Sequence, residues 1–147
     1  DLPILIASRD SATVGGAVAT NAGGLRVLRF GPMRAQLRGI EAVLGDGTVV
    51  SHLAGLVKDN TGYDYPSLLA GSEGTLAVVT GARLRLVPRL RDTVTALAGV
   101  GGLDELHALA RRAVREVPGL VSAEFFTQAG LDPDQPRHLT RSVILAP

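Results

Sequence analysis

Two glycine-rich stretches, about fifty residues apart, constrain the fold of this chain more than any other sequence feature. The first, Thr13 to Gly24, holds two Gly-Gly pairs, and the second, Gly71 to Thr80, begins Gly-Ser-Glu-Gly-Thr. Glycine reaches positive φ without strain and lets a ligand lie close to the backbone. Successive amides in such bends form concavities that bind anions. We expect a nucleotide-shaped cofactor, although the first stretch alone is equally consistent with tight turns that hold no ligand.

Other glycine motifs with known chemistry are absent. No G-x-G-x-x-G follows a strand and opens a helix, and no Gly-Lys-Ser/Thr tripeptide forms a P-loop. The segment around Ser72 is not a nucleophile elbow, because Ala70 stands where that motif requires glycine. These absences disfavour Rossmann, kinase and hydrolase functions.

Composition and charge indicate a globular chain with no nucleic-acid partner. Of the 147 residues, 46% are apolar, and the formal net charge is +1. The arginines from Arg83 to Arg91 form one basic patch, which solvated strand residues explain. Cysteine is absent, which excludes disulfides and thiolate chemistry. No apolar run reaches the roughly 20 residues that span a bilayer, so we expect a soluble, cytoplasmic protein.

The middle of the chain predicts a hairpin, a short helix and a long strand. Leu37 to Leu44 alternates in polarity, and an Asp46-Gly47 turn leads into a second strand that ends at Ser51. Asp64 is expected to cap a helix that ends at Leu69. Thr75 to Val87 predicts one strand, continuously apolar at first and alternating later.

A composition shift after Pro88 predicts a domain boundary, with domains at 1–90 and 91–147. The second domain is expected to begin β-α-β, with strands at Thr93 to Val100 and Val121 to Thr127 around a helix at Leu103 to Val117. Gly130 to His138 predicts a mobile loop. The chain opens in a predicted strand and stops after an apolar run, so we expect a fragment of a larger polypeptide.

With these segments in place, four ordered motifs resemble the vanillyl-alcohol-oxidase-type flavoproteins with a PCMH-type FAD domain. Within that group they are most similar to the branch of D-2-hydroxyglutarate, D-lactate and glycolate dehydrogenases. The motifs are A-T-x-G-G-x-x-A-T-N-A-G-G, a D-G hairpin, K-D-x-x-G-Y-D and G-S-E-G-T-L-x-x-x-T. The resemblance implies an α+β fold: a PCMH-type FAD-binding subdomain with a mainly antiparallel sheet flanked by helices, followed by the start of an α+β cap domain.

The resemblance also implies which residues contact FAD. The first bend would lie beside the isoalloxazine, ribityl and diphosphate portions, and the second beside the adenosine end. Ala77 stands where the family usually has glycine, and its β-carbon is expected to crowd the cofactor slightly. The candidate cofactor-binding residues are Ser11, Ala12, Thr13, Val14, Gly15, Gly16, Thr20, Asn21, Ala22, Gly23, Glu73, Gly74, Thr75, Val78 and Val79.

Structural interpretations compete with these assignments. Thr20 and Asn21 are equally consistent with ordinary cap or turn residues, and Glu73 with a solvated carboxylate. The Lys58-Asp59 and Tyr63-Asp64 groups could form an acid/base site, but we favour a loop organised by bonds from side chains to the backbone. His52, His107 and His138 show no metal-ligand spacing and are expected to face solvent.

The resemblance implies that the parent protein oxidises a D-2-hydroxy acid to the 2-oxo acid by hydride transfer to flavin, and passes electrons to an acceptor. No catalytic residue or metal ligand is predicted within this chain, because the family's metal ligands and catalytic histidine are expected beyond Pro147. One alternative is a non-catalytic interaction module, whose exposed strand edges would favour a homodimer. Another is a flavin oxidase of the same family that acts on a different alcohol.

Overall fold

A computed structural model describes residues 1–125 and the strand at 140–143. The chain forms two compact units, residues 1–88 and 89–147. An antiparallel sheet flanked by helices confirms the predicted α+β fold class. The assignment of the two units to an FAD-binding domain and a cap domain stays a prediction.

The first unit is a three-stranded antiparallel sheet in the order β2-β1-β3, with short helices packed on it. The predicted hairpin is confirmed, and Thr48 N donates to Asp46 Oδ1 at 2.9 Å in its turn. The predicted cap is confirmed as well, because Ser67 N donates to Asp64 Oδ1 at 3.1 Å. The elements are α1 (Val14–Ala19), α2 (Val27–Phe30), α3 (Met33–Gln36), β1 (Leu37–Leu44), β2 (Val49–His52), α4 (Tyr65–Leu69) and β3 (Ala77–Leu84).

Two β-bulges set which side chains of the sheet reach the core. Strand β1 carries an extra residue at Arg38, between the pairs Leu37–Leu84 and Gly39–Arg83. Strand β3 carries one at Thr80, between the pairs that join Glu41 to Gly81 and Ala42 to Val79. A bulge shifts the alternation of side chains by one position, which explains why the apolar pattern of β3 changes phase along its length.

The core of the first unit lies between the sheet and helices α1, α3 and α4. Gln36 is its one buried polar side chain among the described residues of this unit, and Arg85 and the Phe30 carbonyl bind its two ends. This pairing satisfies both ends of a buried amide that would otherwise be costly. The buried apolar members are Val18, Met33, Leu37, Ile40, Ala42, Leu69, Ala70 and Ala77.

Two strand predictions for this unit were wrong in extent. The opening segment forms no strand: Leu5 makes an isolated parallel bridge with Gly24, and Asp1 exchanges two backbone hydrogen bonds with Val87. Strand β3 ends at Leu84 instead of Val87. Arg85 N still donates to Gln36 O at 2.7 Å, and β1 offers no further partner beyond its start at Leu37.

The second unit contains β4 (Ala96–Gly99), α5 (Leu103–Glu116) and β5 (Thr140–Val143), with β4 and β5 paired antiparallel. The predicted helix is confirmed, and Gly101 N donates to Glu105 Oε2 at 2.7 Å at its start. The described part of the predicted strand Val121 to Thr127 is not a strand. Residues 120–122 are buried in succession rather than alternately. The predicted loop at Gly130 to His138 lies outside the described residues.

Among the described residues, no helix is long and apolar enough to cross a membrane.

Candidate functional site

The first glycine bend is the short helix α1 and its two caps. Thr13 caps the start, where its Oγ1 accepts from Gly16 N at 3.0 Å. At the end, Asn21 adopts φ +50°, Asn21 N donates to Val18 O, and Ala22 N donates to Ala17 O. These two bonds form a Schellman motif. Thr20 and Asn21 therefore cap a helix, as the competing structural interpretation expects.

The chain leaves this bend through a close contact with the opening segment. Gly24 has φ +98°, and a β-carbon there would collide with the Leu5 carbonyl. Leu25 N donates to that same carbonyl at 3.0 Å. Gly24 is thus required by packing between two backbone segments, with no ligand involved.

The second glycine bend rests directly on the first. Gly71 N donates to Val18 O at 3.1 Å and Glu73 N to Ala19 O at 2.9 Å, so the second bend satisfies carbonyls at the end of α1. Glu73 adopts φ +51° and Gly74 φ +80°. Residues about fifty positions apart in sequence therefore form one continuous surface.

Arg34 ties the two bends together, and sequence reasoning missed it. Its backbone N donates to Asn21 Oδ1 at 2.9 Å, and its guanidinium Nη2 donates to Ala70 O at 2.5 Å. The sequence signal was weak, because one arginine within a four-residue helix has no periodic pattern around it.

The glycines of the joined bends differ in what surrounds them. A β-carbon on Gly15 or Gly74 would meet no atom within 4 Å, whereas one on Gly16 would touch Thr13 Oγ1 at 3.0 Å. The side chains of Val14 and Val78 are 52% and 67% exposed. Open backbone beside exposed apolar side chains suits the backbone and ring contacts that a flavin nucleotide needs, so the surface fits FAD.

The concave part of this surface is small. A pocket of about 120 Å³ lies between the hairpin turn and the second bend, lined by residues that include Gly45, Gly74 and Val78. Nucleotide-sized ligands occupy pockets of roughly 300 Å³ or more. The pocket formed by the described residues is therefore too small to enclose a nucleotide.

The remaining candidate residues are spread over the same unit. Ser11 and Ala12 are exposed in the turn before α1, where Ser11 N donates to Ser8 O, and Thr75 N closes the second bend by donating to Ser72 O. Gly23 and Val79 are half-buried. Ala77 is 6% exposed and packs in the core, but it also lines the pocket described above, so the expectation that its β-carbon crowds the cofactor stays a prediction.

The segment between β2 and α4 is organised by side-chain hydrogen bonds, as we favoured over an acid/base site. Asp59 Oδ1 accepts from Thr61 N at 2.9 Å, and Asp59 Oδ2 lies 2.9 Å from His52 Nε2. The bond from Thr61 is the main cause that holds the pKa of Asp59 below its usual value, and the bond with His52 adds to it. Bonds from the side chain and backbone of Ser67 likewise lower the pKa of Asp64.

The expectation that the histidines face solvent holds for His107, which is exposed, and is wrong for His52. The His52 side chain is 25% exposed and paired with Asp59. His138 lies outside the described residues. Within the described part of the chain, no group of three or more His, Cys, Asp or Glu is placed to hold a metal ion.

Comparison with known proteins identifies the family of this chain. Residues 2–52 match the family described as FAD binding domain. The chain is 41% identical over 128 residues to D-2-hydroxyglutarate dehydrogenase, mitochondrial, of Rattus norvegicus, covering 87% of this chain and 24% of that protein. It is 40% identical over 124 residues to D-lactate dehydrogenase of Archaeoglobus fulgidus, covering 84% and 28%.

A third relative is D-2-hydroxyglutarate dehydrogenase of Xanthomonas citri, at 39% identity over 133 residues that cover 88% of this chain and 27% of that protein. The chain belongs to this branch of FAD-linked oxidoreductases. It spans about a quarter of the length of these curated relatives. The predicted family and the predicted cofactor, FAD, are both confirmed.

Proposed function

We propose that the two joined bends form one wall of an FAD site in a dehydrogenase that oxidises a D-2-hydroxy acid to the 2-oxo acid. The observation that carries the proposal is the contact between the bends, where Gly71 and Glu73 donate to the last carbonyls of α1. It joins two motifs of the FAD-linked branch on one surface. The names of the relatives support D-2-hydroxyglutarate or D-lactate as the class of substrate.

Each bend has a distinct part in this proposal. FAD, when bound, supplies the acceptor for the hydride that leaves the substrate carbon. The open backbone at Gly15 lets a flat ring or a phosphate approach α1, and the exposed Val14 side chain offers an apolar contact. The second bend, with Gly74 and Val78, would hold the adenosine end largely through backbone groups.

The test of activity uses the full-length protein that carries this segment. The purified protein is expected to show flavin absorbance that bleaches when D-2-hydroxyglutarate or D-lactate is added without oxygen. The L enantiomers serve as the matched control and are expected to leave the absorbance unchanged. Absence of flavin, or equal bleaching by both enantiomers, would count against the proposal.

The test of the surface uses one substitution. Gly15→Leu adds a side chain whose β-carbon would meet no protein atom within 4 Å, so the protein is expected to fold and to lose most of its FAD. Gly102→Leu is the control, because a β-carbon there also meets no atom within 4 Å, but Gly102 is the N-cap of α5 in the second unit. Equal flavin content in the two variants would contradict the placement of FAD at α1.

The electron acceptor, the homodimer and the cytoplasmic location belong to the same proposal. Some relatives are named as mitochondrial, including those of Rattus norvegicus and Bos taurus, whereas the names of the Archaeoglobus and Xanthomonas proteins state no compartment. Light scattering on the full-length protein tests the dimer. Fractionation of cells that produce it tests the location, and reoxidation of the reduced protein by candidate carriers identifies the acceptor.

A further inference from the structure

A second pocket in the first unit borders the joined bends at Arg34, which contacts both. It has a volume of about 190 Å³ and is enclosed by α3, the ends of β1 and β2, the loop that follows β2, and the start of α4. Its polar lining includes Arg34, Arg38, His52, Asp59, Tyr63 and Ser67. None of its lining residues belongs to the candidate FAD set.

The acidic groups of this pocket are already hydrogen-bonded within the protein. Both carboxylate oxygens of Asp59 are used, one by Thr61 N and the other by the His52 ring. Asp64 Oδ1 accepts from Ser67 N at the start of α4. The carboxylates therefore stabilise the loop and leave little capacity to bind a cation.

The arginines of the pocket, in contrast, have donors that no described protein group uses. Arg38 is the extra residue of the bulge in β1, and bulges commonly redirect a side chain next to a functional site. Within the part of the chain that the structure describes, its guanidinium forms no hydrogen bond and no ion pair. Arg34 commits only Nη2 of its guanidinium, to the Ala70 carbonyl.

The pocket thus offers guanidinium donors that no described protein group satisfies and that a ligand could engage in place of water. An arginine fork binds the paired oxygens of a carboxylate or a phosphate in two parallel hydrogen bonds. A volume of about 190 Å³ is below that of a typical cofactor pocket and suits a ligand of a few heavy atoms. We propose that this pocket binds a small oxyanion, a carboxylate or a phosphate, with Arg38 as its principal contact.

The experiment is calorimetric titration of the full-length, FAD-loaded protein with inorganic phosphate and, separately, with succinate, at constant ionic strength. Arg38→Gln is expected to weaken binding about tenfold or more, since a charge-assisted hydrogen bond is worth about 1.5–3 kcal/mol. Arg38→Lys keeps the charge without the fork, and its affinity is expected to lie between those of Arg38→Gln and the unmodified protein. Arg9→Gln, which removes an exposed arginine outside the pocket, is the matched control and should bind as the unmodified protein does.

Flavin absorbance reports separately on the cofactor and on folding, and it is expected to be the same in all variants. Tighter binding of phosphate or of succinate identifies which source of oxyanion the pocket prefers, and either result supports the proposal. Equal affinity of Arg38→Gln and Arg9→Gln would overturn it. So would absence of binding to the unmodified protein, or binding only after FAD is removed, which would place the anion on the flavin surface.

Discussion

The two glycine bends look alike in sequence but hold their shapes in different ways. The first caps its own helix: Thr13 and the Schellman bonds at Asn21 close α1 at both ends, and Arg34 N adds a bond to Asn21 Oδ1 from outside. The second depends on the first, since the amides of Gly71 and Glu73 donate to carbonyls of α1. The comparison shows that glycine content alone does not separate positions required by packing from positions open to a ligand.

The largest expected effect comes from Gly24→Ala. Its positive φ and the collision with the Leu5 carbonyl together are expected to cost about 3 kcal/mol or more of unfolding free energy. Gly15→Ala is the contrasting change, because no atom lies near its β-carbon and alanine favours the helix by about 0.5–1 kcal/mol. Urea denaturation of the full-length protein measures the unfolding free energy of both variants. Similar free energies would show that the two glycines do not differ in what packing requires of them.

A smaller effect is expected at Asn21, which combines a left-handed backbone with the bond from Arg34 N. Asn21→Ala loses the bond and keeps the strain, at a cost of about 2 kcal/mol. Asn21→Gly loses only the bond and is expected to cost about 1 kcal/mol less than the alanine variant. Equal denaturation midpoints for the two variants would show that the backbone conformation contributes nothing.

In the second bend, a substitution by glycine is expected to stabilise the protein. Glu73 also has positive φ, but its side chain forms no hydrogen bond among the described residues. Glu73→Gly is therefore expected to raise the unfolding free energy by about 1 kcal/mol. Glu73→Ala keeps the strained backbone and should change little. A loss of stability on Glu73→Gly would reveal a contact of the carboxylate that the structure does not show.

The smallest expected effect is on the stability of the protein at low pH. Hydrogen bonds from Ser67 hold the pKa of Asp64 below its usual 3.8. A carboxylate with a lowered pKa in the folded state stabilises that state fully above its unfolded pKa, and this contribution is lost as the pH falls from there through the lower, folded pKa. Asp64→Asn keeps a capping side chain and should flatten the fall in stability below about pH 4. Denaturation midpoints measured across this pH range provide the test. If the midpoint falls equally in the unmodified protein and in Asp64→Asn, the bond from Ser67 contributes nothing to the pH dependence.

Local signals in the sequence predicted the elements that local chemistry determines. The Asp46-Gly47 turn, the Asp64 cap and the stripe along α5 each depend on residues a few positions apart, and each was predicted correctly. The errors involve partners far along the chain. The bulges at Arg38 and Thr80, the bridge between Leu5 and Gly24, and the role of Arg34 all depend on pairings that no short window contains.

For the candidate site, the ordered motifs predicted the cofactor and the family, and the structure brought the two bends together. What the sequence could not distinguish was the environment of each glycine. Gly15 and Gly24 belong to the same motif, yet one faces open space and the other lies against a carbonyl. That difference depends on where the opening segment packs, which is a property of the folded unit.

The dependence of the second bend on the first has a consequence for synthesis on the ribosome. The carbonyls of Val18 and Ala19 receive their bonds from Gly71 and Glu73, which are translated about fifty residues later. The nascent chain can close the β1–β2 hairpin before then, and Val18 O already accepts from Asn21 N, but the Ala19 oxygen stays hydrated until Glu73 arrives. The surface that joins the two bends can therefore form only after the second bend has emerged from the exit tunnel.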